Sequence, residues 1–173
     1  MSGLFPFVNS PNPVPNQKHM KTKSIPAGFE SAIPYLICKD AAKAIEFYQK
    51  AFGATELERI AMPDGRVGHA ELKISGATIM LADEFPDIGT VSPQSLGGTT
   101  VRMIIYVEDV DAFAARASAA GAKVLSPPTD QFYGDRNCKL CDPSGHVWMF
   151  GSHKEDVSRE EIRKRAAALF HKK

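Results

Sequence analysis

The stretch Tyr35-Leu36-Ile37-Cys38-Lys39-Asp40-Ala41-Ala42-Lys43-Ala44-Ile45-Glu46-Phe47-Tyr48-Gln49-Lys50-Ala51-Phe52-Gly53-Ala54 decides the architecture. Residues 32–38 read as a strand. Pro34 places that strand at a sheet edge or barrel lip, because proline cannot donate to a hydrogen-bond ladder. Asp40 is a helix N-cap. Ala41, Ala44, Ile45, Tyr48 and Phe52 then recur at three- to four-residue steps and form one apolar stripe. Gly53 supplies the left-handed residue that stops the helix.

Three strands are predicted to follow, at 55–62, 68–74 and 77–82, separated by the turns Pro63-Asp64-Gly65 and Ser75-Gly76. In the middle strand Ala70, Leu72 and Ile74 alternate with His69, Glu71 and Lys73, so the two sets face opposite sides of a sheet. Residues 84–98, rich in Pro, Gly and Ser, read as a linker or mobile loop. The programme then repeats. A strand spans 100–107, and Asp109 or Asp111 caps a helix with the stripe Val110, Phe113, Ala114 and Ala117, which Gly121 stops. Strands are expected at 123–125 with a continuation near 131–133, at 136–141 and at 147–151, the last after the turn Asp142-Pro143-Ser144-Gly145. The letters repeat too: Asp40 and Glu108 each stand thirteen positions before a Gly-Ala pair. Self-similarity in both letters and element order indicates a duplicated unit; the alternative is coincidence between two amphipathic helices.

The expected class is therefore α+β: two βαβββ modules at 31–83 and 99–152 within a domain at 29–152, joined by the 84–98 linker. A proline-rich arm is expected at 1–28 before the domain, and because Met20 begins a more ordinary opening its first nineteen residues read as an upstream extension or a remnant. A C-terminal segment, 153–173, begins its helix with the capping-box pattern Ser158-Arg159-Glu160-Glu161 and packs on the domain or on a second subunit. Twenty-one basic residues against twenty acidic ones leave a formal charge of +1, too balanced for nucleic acid or an anionic membrane to be the main partner. Three cysteines make no disulfide framework and fit a cytoplasmic location. No secretory signal and no apolar run of spanning length are expected.

Four segments carry a family resemblance: residues 35–48, Ala51-Phe52-Gly53-Ala54, Tyr106-Val107-Glu108-Asp109-Val110-Asp111, and Asp142-Pro143-Ser144-Gly145-His146-Val147-Trp148. Together they resemble the glyoxalase I / bleomycin-resistance / extradiol-dioxygenase (vicinal oxygen chelate) superfamily, over about 31–152. Residues 132–136 and 153–158 resemble a glyoxalase-like subgroup whose members mostly lack an assigned reaction. The resemblance implies sheets curled into half-barrels around a cavity, a homodimer, and four metal-ligand positions on cavity-facing strands, filled in the enzymes by His, Gln or Glu. Here those positions fall on Ile33, near Met80, on Arg102 and on Met149. None is an imidazole or carboxylate, so no metal is expected. A shift of register would instead offer Glu84, with Asp83 beside it, as a displaced donor.

Strand alternation sends Tyr35, His69, Glu71, Thr78, Arg102, Tyr106 and Met149 to the concave faces, with Trp148 and Phe150 under the helices. Tyr35, His69, Glu71, Met80, Arg102, Tyr106, Tyr133 and Met149 are the candidate ligand-binding residues. No catalytic residue and no cofactor is assigned. Arg102 can meet a carboxylate or phosphate, or pair with Glu71 or Glu108. His69 can donate, accept or shuttle a proton, or be a satisfied strand residue. Asp135 and Arg136 brace a loop or touch ligand. Cys138 and Cys141, three apart on a strand, point to opposite faces and make no zinc or redox site. His146 is expected beside its turn rather than in catalysis. The expected function is a metal-free protein that binds or sequesters a small metabolite or antibiotic. The alternative is a metal-dependent lyase, isomerase or dioxygenase with His69, Glu71, Glu84 or His146 as ligands, where a divalent metal is required. A third possibility is a regulatory domain acting through the terminal helix.

Overall fold

The computed structural model describes residues 23–170. The expected arm therefore lies mostly outside the described residues, as does the end of the C-terminal segment. Two four-stranded mixed sheets carry the fold. Sheet I has the order β1-β4-β3-β2, from β1 (Tyr35–Cys38), β2 (Thr55–Ala61), β3 (Val67–Ile74) and β4 (Ala77–Asp83), with helix α1 (Ala41–Phe52) after β1. Sheet II has the order β5-β8-β7-β6, from β5 (Arg102–Tyr106), β6 (Lys123–Asp130), β7 (Asp135–Cys141) and β8 (Val147–His153), with helix α3 (Val110–Ala119) after β5. In each sheet the first strand pairs in parallel with the last, and the remaining pairs are antiparallel. The two sheets are not closed into a barrel. Pro34 stands just before β1, an edge strand, where a missing donor costs nothing.

The repeat extends to how the helices are capped. The Asp40 carboxylate accepts from Lys43 N at 3.0 Å, and Asp109 accepts from Asp111 and Ala112 N, each at 3.0 Å. Asp109 is thus the structural partner of Asp40. Matching Asp40 to Glu108 by distance from the Gly-Ala pair is off by one, because α3 has 10 residues to the 12 of α1 and the extra Ala120 before its glycine restores only one of them. A second cap comes from the last strand of each module. Buried Asp83 accepts from Ala41 N at 2.7 Å and Val67 N at 2.6 Å, and Ser152 Oγ accepts from Val110 N at 2.9 Å while donating to Val107 O at 2.8 Å.

One core serves both modules. Tyr48 and Phe52 of α1 pack on Trp148 of sheet II with centroids 5.6 and 5.2 Å apart, and Phe52 also meets Phe113 and Phe150 at 5.5 and 4.9 Å. Burial of each such side chain contributes roughly 1.5–3 kcal/mol. At the centre, buried Asp142 accepts from Tyr48 Oη at 2.6 Å, Trp148 Nε1 at 2.8 Å, and Ser144 and His146 N, each at 2.9 Å.

Two segments depart from expectation. The 84–98 segment is built rather than loose: helix α2 (Pro93–Leu96) is capped by Ser92, and the Glu84 carboxylate accepts from Ser92 N and Ser95 Oγ. Strand β6 is continuous through Pro127 and Pro128, which an edge strand tolerates, and residues 131–134 form the turn that was expected to continue it. Helix α4 (Arg159–Phe170) starts after Ser158, whose Oγ accepts from Glu161 N, and Arg165 ties it to Glu155 and to the Phe132 carbonyl.

Candidate ligand-binding site

Each sheet buries one face under the helices and leaves the other open. On β3 the buried residues are Ala70, Leu72 and Ile74, and on β8 they are Trp148 and Phe150. The intervening residues make the open faces. On sheet I, Tyr35 stands beside Met80, Met80 beside Glu71, and Glu71 beside Glu58. His69 Nδ1 lies 3.0 Å from the Tyr35 hydroxyl, and its Nε2 lies 3.4 Å from Glu71 Oε1. Lys73 Nζ donates to Thr78 Oγ1 at 2.9 Å. Burial raises the Tyr35 phenol above its ordinary pKa, so it stays protonated at neutral pH.

On sheet II, Arg102 stands beside Val147 and Val147 beside Cys141; the next row is Ile104, Met149 and Lys139; the next is Tyr106, Gly151 and Asn137. Glycine at 151 leaves the space these neighbours use: a Cβ there would lie 2.6 Å from Asn137 Oδ1 and 3.4 Å from the Tyr106 ring. At this end Tyr106 Oη donates to Asp135 Oδ2, Asp135 Oδ1 lies 2.8 Å from His153 Nδ1, and His153 Nε2 lies 3.0 Å from Asp156. Burial pushes the Asp135 carboxyl up, and the Tyr106 and His153 contacts together more than offset it, leaving it below the ordinary range. Asp135, and to a lesser degree Asp156, raises the His153 pKa. Tyr133, on the loop before β7, accepts from Asn137 Nδ2 at 2.6 Å.

The structure therefore groups the sequence candidates in two sets on separate sheets: Tyr35, His69, Glu71 and Met80 on sheet I, and Arg102, Tyr106 and Met149 on sheet II with Tyr133 on the adjoining loop. Arg102 shares a cavity of about 380 Å³ with Ile33, Thr78 and Ile104, and pairs with neither Glu71 nor Glu108 among the described residues. A second cleft, of about 500 Å³, is lined by Tyr35, Ile37, Met103 and His146 and roofed by the linker residues Val91 and Leu96. Asp135 with His153 is the pairing that sequence reading missed, because no local spacing marks it. Arg136 braces, as one reading had it, donating to Asp111 at 2.7 Å and to Asp130 at 3.0 Å. Cys138 is buried and Cys141 half-buried on the opposite face. His146 is itself buried, its Nε2 at 3.0 Å from the Ile37 carbonyl oxygen.

A family model described as the glyoxalase/bleomycin resistance protein/dioxygenase superfamily matches residues 30–150. The chain belongs to this superfamily. Members bind small molecules and usually form dimers. An uncharacterized protein of Mycobacterium bovis is 46% identical over 132 residues, covering 75% of this chain and 87% of its own. An uncharacterized Mycobacterium tuberculosis protein matches at the same identity, with 78% of its own length covered. Among solved structures, TioX from Micromonospora superposes with a TM-score of 0.57 at 32% identity, covering 70% of this chain and 96% of that one. FosX from Listeria monocytogenes, a fosfomycin resistance protein solved with Mn(II) and sulfate, has a TM-score of 0.54 at 24% identity over 79% and 95% of the two chains, a likeness of fold.

The side chains at the positions where the family resemblance implies metal donors do not fit a divalent cation. Ile33 has no donor, Met80 and Met149 offer only soft thioethers, and Arg102 carries a repelling charge. Of the substitutes that a shifted register would supply, three are engaged elsewhere, while His69 and Glu71 stand together on the open face of sheet I, 3.4 Å apart. Asp83 holds the start of α1, Glu84 holds α2, and His146 bonds Ile37. Among the described residues no group of three His, Cys, Asp or Glu side chains gathers to hold a metal.

Proposed function

We propose that this superfamily member binds a small, partly apolar anionic molecule on its open sheet faces, without a divalent metal. The observation that carries the reading is the occupancy of the four superfamily donor positions by isoleucine, methionine, arginine and methionine. Arg102 supports the anionic preference: it is exposed, has apolar Ile33 and Ile104 for neighbours, and its guanidinium has no acidic partner among the described residues. The functional partner is a second copy of the chain. What supports this is the exposure of Tyr35, Ile60, Ile104 and Tyr106 on faces a lone chain leaves open. The three free cysteines support a reducing, cytoplasmic setting. No helix among the described residues is long and apolar enough to cross a membrane.

Elemental analysis paired with native mass spectrometry tests the reading. The expected result is a dimer without stoichiometric metal that retains or takes up a small anion, with uptake lost in Arg102→Met. A stoichiometric divalent metal, with turnover of the methylglyoxal–glutathione adduct that disappears on chelation, would overturn it and restore the metal-dependent lyase.

A further inference from the structure

Near the place on β4 where the family resemblance implies a metal donor, this chain has Met80, and around that thioether stand a phenol, an imidazole and a carboxylate. Tyr35 on β1 and Glu71 on β3 are its register neighbours on either side, and His69 sits two residues before Glu71 on the same face. His69 Nε2 lies 3.4 Å from Glu71 Oε1, and its Nδ1 lies 3.0 Å from the Tyr35 hydroxyl. A ring protonated on Nε2 donates to Glu71 and presents its Nδ1 lone pair as acceptor to the Tyr35 hydroxyl. The His69 and Glu71 side chains are partly buried, at 23% and 22% exposure, whereas Tyr35 is open at 47%. The outermost member is thus the one a ligand meets first.

We propose that Tyr35, His69 and Glu71 form a proton relay, and that the open face of sheet I carries out metal-independent proton transfer on a small molecule bearing an acidic C–H or O–H group. The proposal rests on the reading of these faces as the ligand site. In the step, the substrate X–H bond breaks and its proton forms an O–H bond with the Tyr35 oxygen. The phenol's original proton passes to His69 Nδ1. The products are a substrate anion, a neutral Tyr35 and an imidazolium paired with the Glu71 carboxylate. Return of the proton by the same route, to the same or an adjacent atom, closes the cycle with no oxidant, reductant or metal. Tyr35 and His69 are the reacting groups. Glu71 acts through His69 and is a positioning residue.

The test uses the full chain and 5-nitrobenzisoxazole, an aromatic carbon acid. Loss of its ring C–H proton breaks the N–O bond, forms a nitrile and releases a coloured phenolate. Nitrogen-15 spectra of the His69 ring are recorded in parallel. The expected result is the Nε2–H tautomer, and turnover that falls at least about tenfold in His69→Gln and in Tyr35→Phe. In Glu71→Gln the tautomer preference weakens as the rate falls, which a merely structural role would not produce. Arg163→Ala, on the outer side of α4, serves as the unaltered control. A His69 ring protonated on Nδ1, or turnover equal in wild type and His69→Gln, would overturn the relay. Binding of inert 5-nitroindole, followed by amide shifts at Tyr35 and Met80, separates the two ideas. If the analogue binds without His69-dependent turnover, the relay falls and the sheet I site stands; if it does not bind, the sheet I site falls and the relay with it, while uptake of an anion at Arg102 is judged separately.

Discussion

Replacing Tyr48 with phenylalanine removes one oxygen atom from the centre of the protein and leaves every ring contact in place. The hydroxyl is fully buried and donates to Asp142 Oδ2 at 2.6 Å, from module one into module two. Asp142 keeps three donors after the change: Trp148 Nε1 and the Ser144 and His146 amides. The carboxylate is therefore weakened rather than orphaned, and the gap is too small to admit water. A hydrogen bond to a charged group is worth about 1.5–3 kcal/mol, which sets the expected loss at about 2 kcal/mol. With a urea m-value of about 2 kcal/mol/M, the unfolding midpoint drops by about 1 M while the slope is unchanged. Asp142→Ala instead strands two buried side-chain donors and two amides, so a loss of roughly 4 kcal/mol or more is expected. Tyr48→Phe then costs almost nothing in the Asp142→Ala background, because its partner is gone. Equal cost of Tyr48→Phe in both backgrounds, or a midpoint shift under about 0.3 M in the wild type, would refute the claim that this bond joins the modules.

Gly134 adopts φ +99°, and a Cβ there would stand 2.1 Å from the Glu155 carbonyl oxygen; Gly134→Ala should cost about 3 kcal/mol or more in urea unfolding and expose residues 153–158 to protease. Asp83→Ala leaves the Ala41 and Val67 amides without acceptors and should cost about 2–4 kcal/mol, whereas Ser152→Ala at the matching place in module two should cost about 1, both read from denaturation midpoints. Burial pushes the Cys38 thiol up to about 12 from its ordinary 9.0. Because the folded value is the higher one, the stability it contributes is intact below pH 9.0 and drains away as pH climbs toward 12. Buried Tyr48, also raised, adds to the loss above pH 10.0. Melting temperature should therefore hold up to about pH 9 and fall from there toward pH 12, and the fall should be shallower in Cys38→Ala.

Alternation made the open and covered faces legible: Trp148 and Phe150 could be placed under the helices, and Tyr35, His69, Glu71 and Met149 opposite, because a strand has no other way to sort them. The helix stripes and their Asp caps were equally local. Strand β6 was cut short because Pro127 and Pro128 suppress a strand signal that only an edge position excuses. Helix α2 announced itself in Ser92-Pro93, yet four residues carry no periodicity. The Asp135–His153 pair and the burial of His146 against Ile37 were invisible for another reason: they join residues 18 and 109 positions apart, and no spacing rule reaches that far.

Tyr48 and Phe52 belong to module one by sequence, yet module two supplies part of their surroundings: Trp148 to both, and Phe113 and Phe150 to Phe52. Neither half therefore owns a complete interior. A backbone severed within 84–98 would yield two fragments that each collapse badly alone, yet reassemble when mixed, since the aromatic cluster and the Tyr48–Asp142 bond need no covalent tether. The two modules can be told apart in sequence and in topology, and neither is complete without the other.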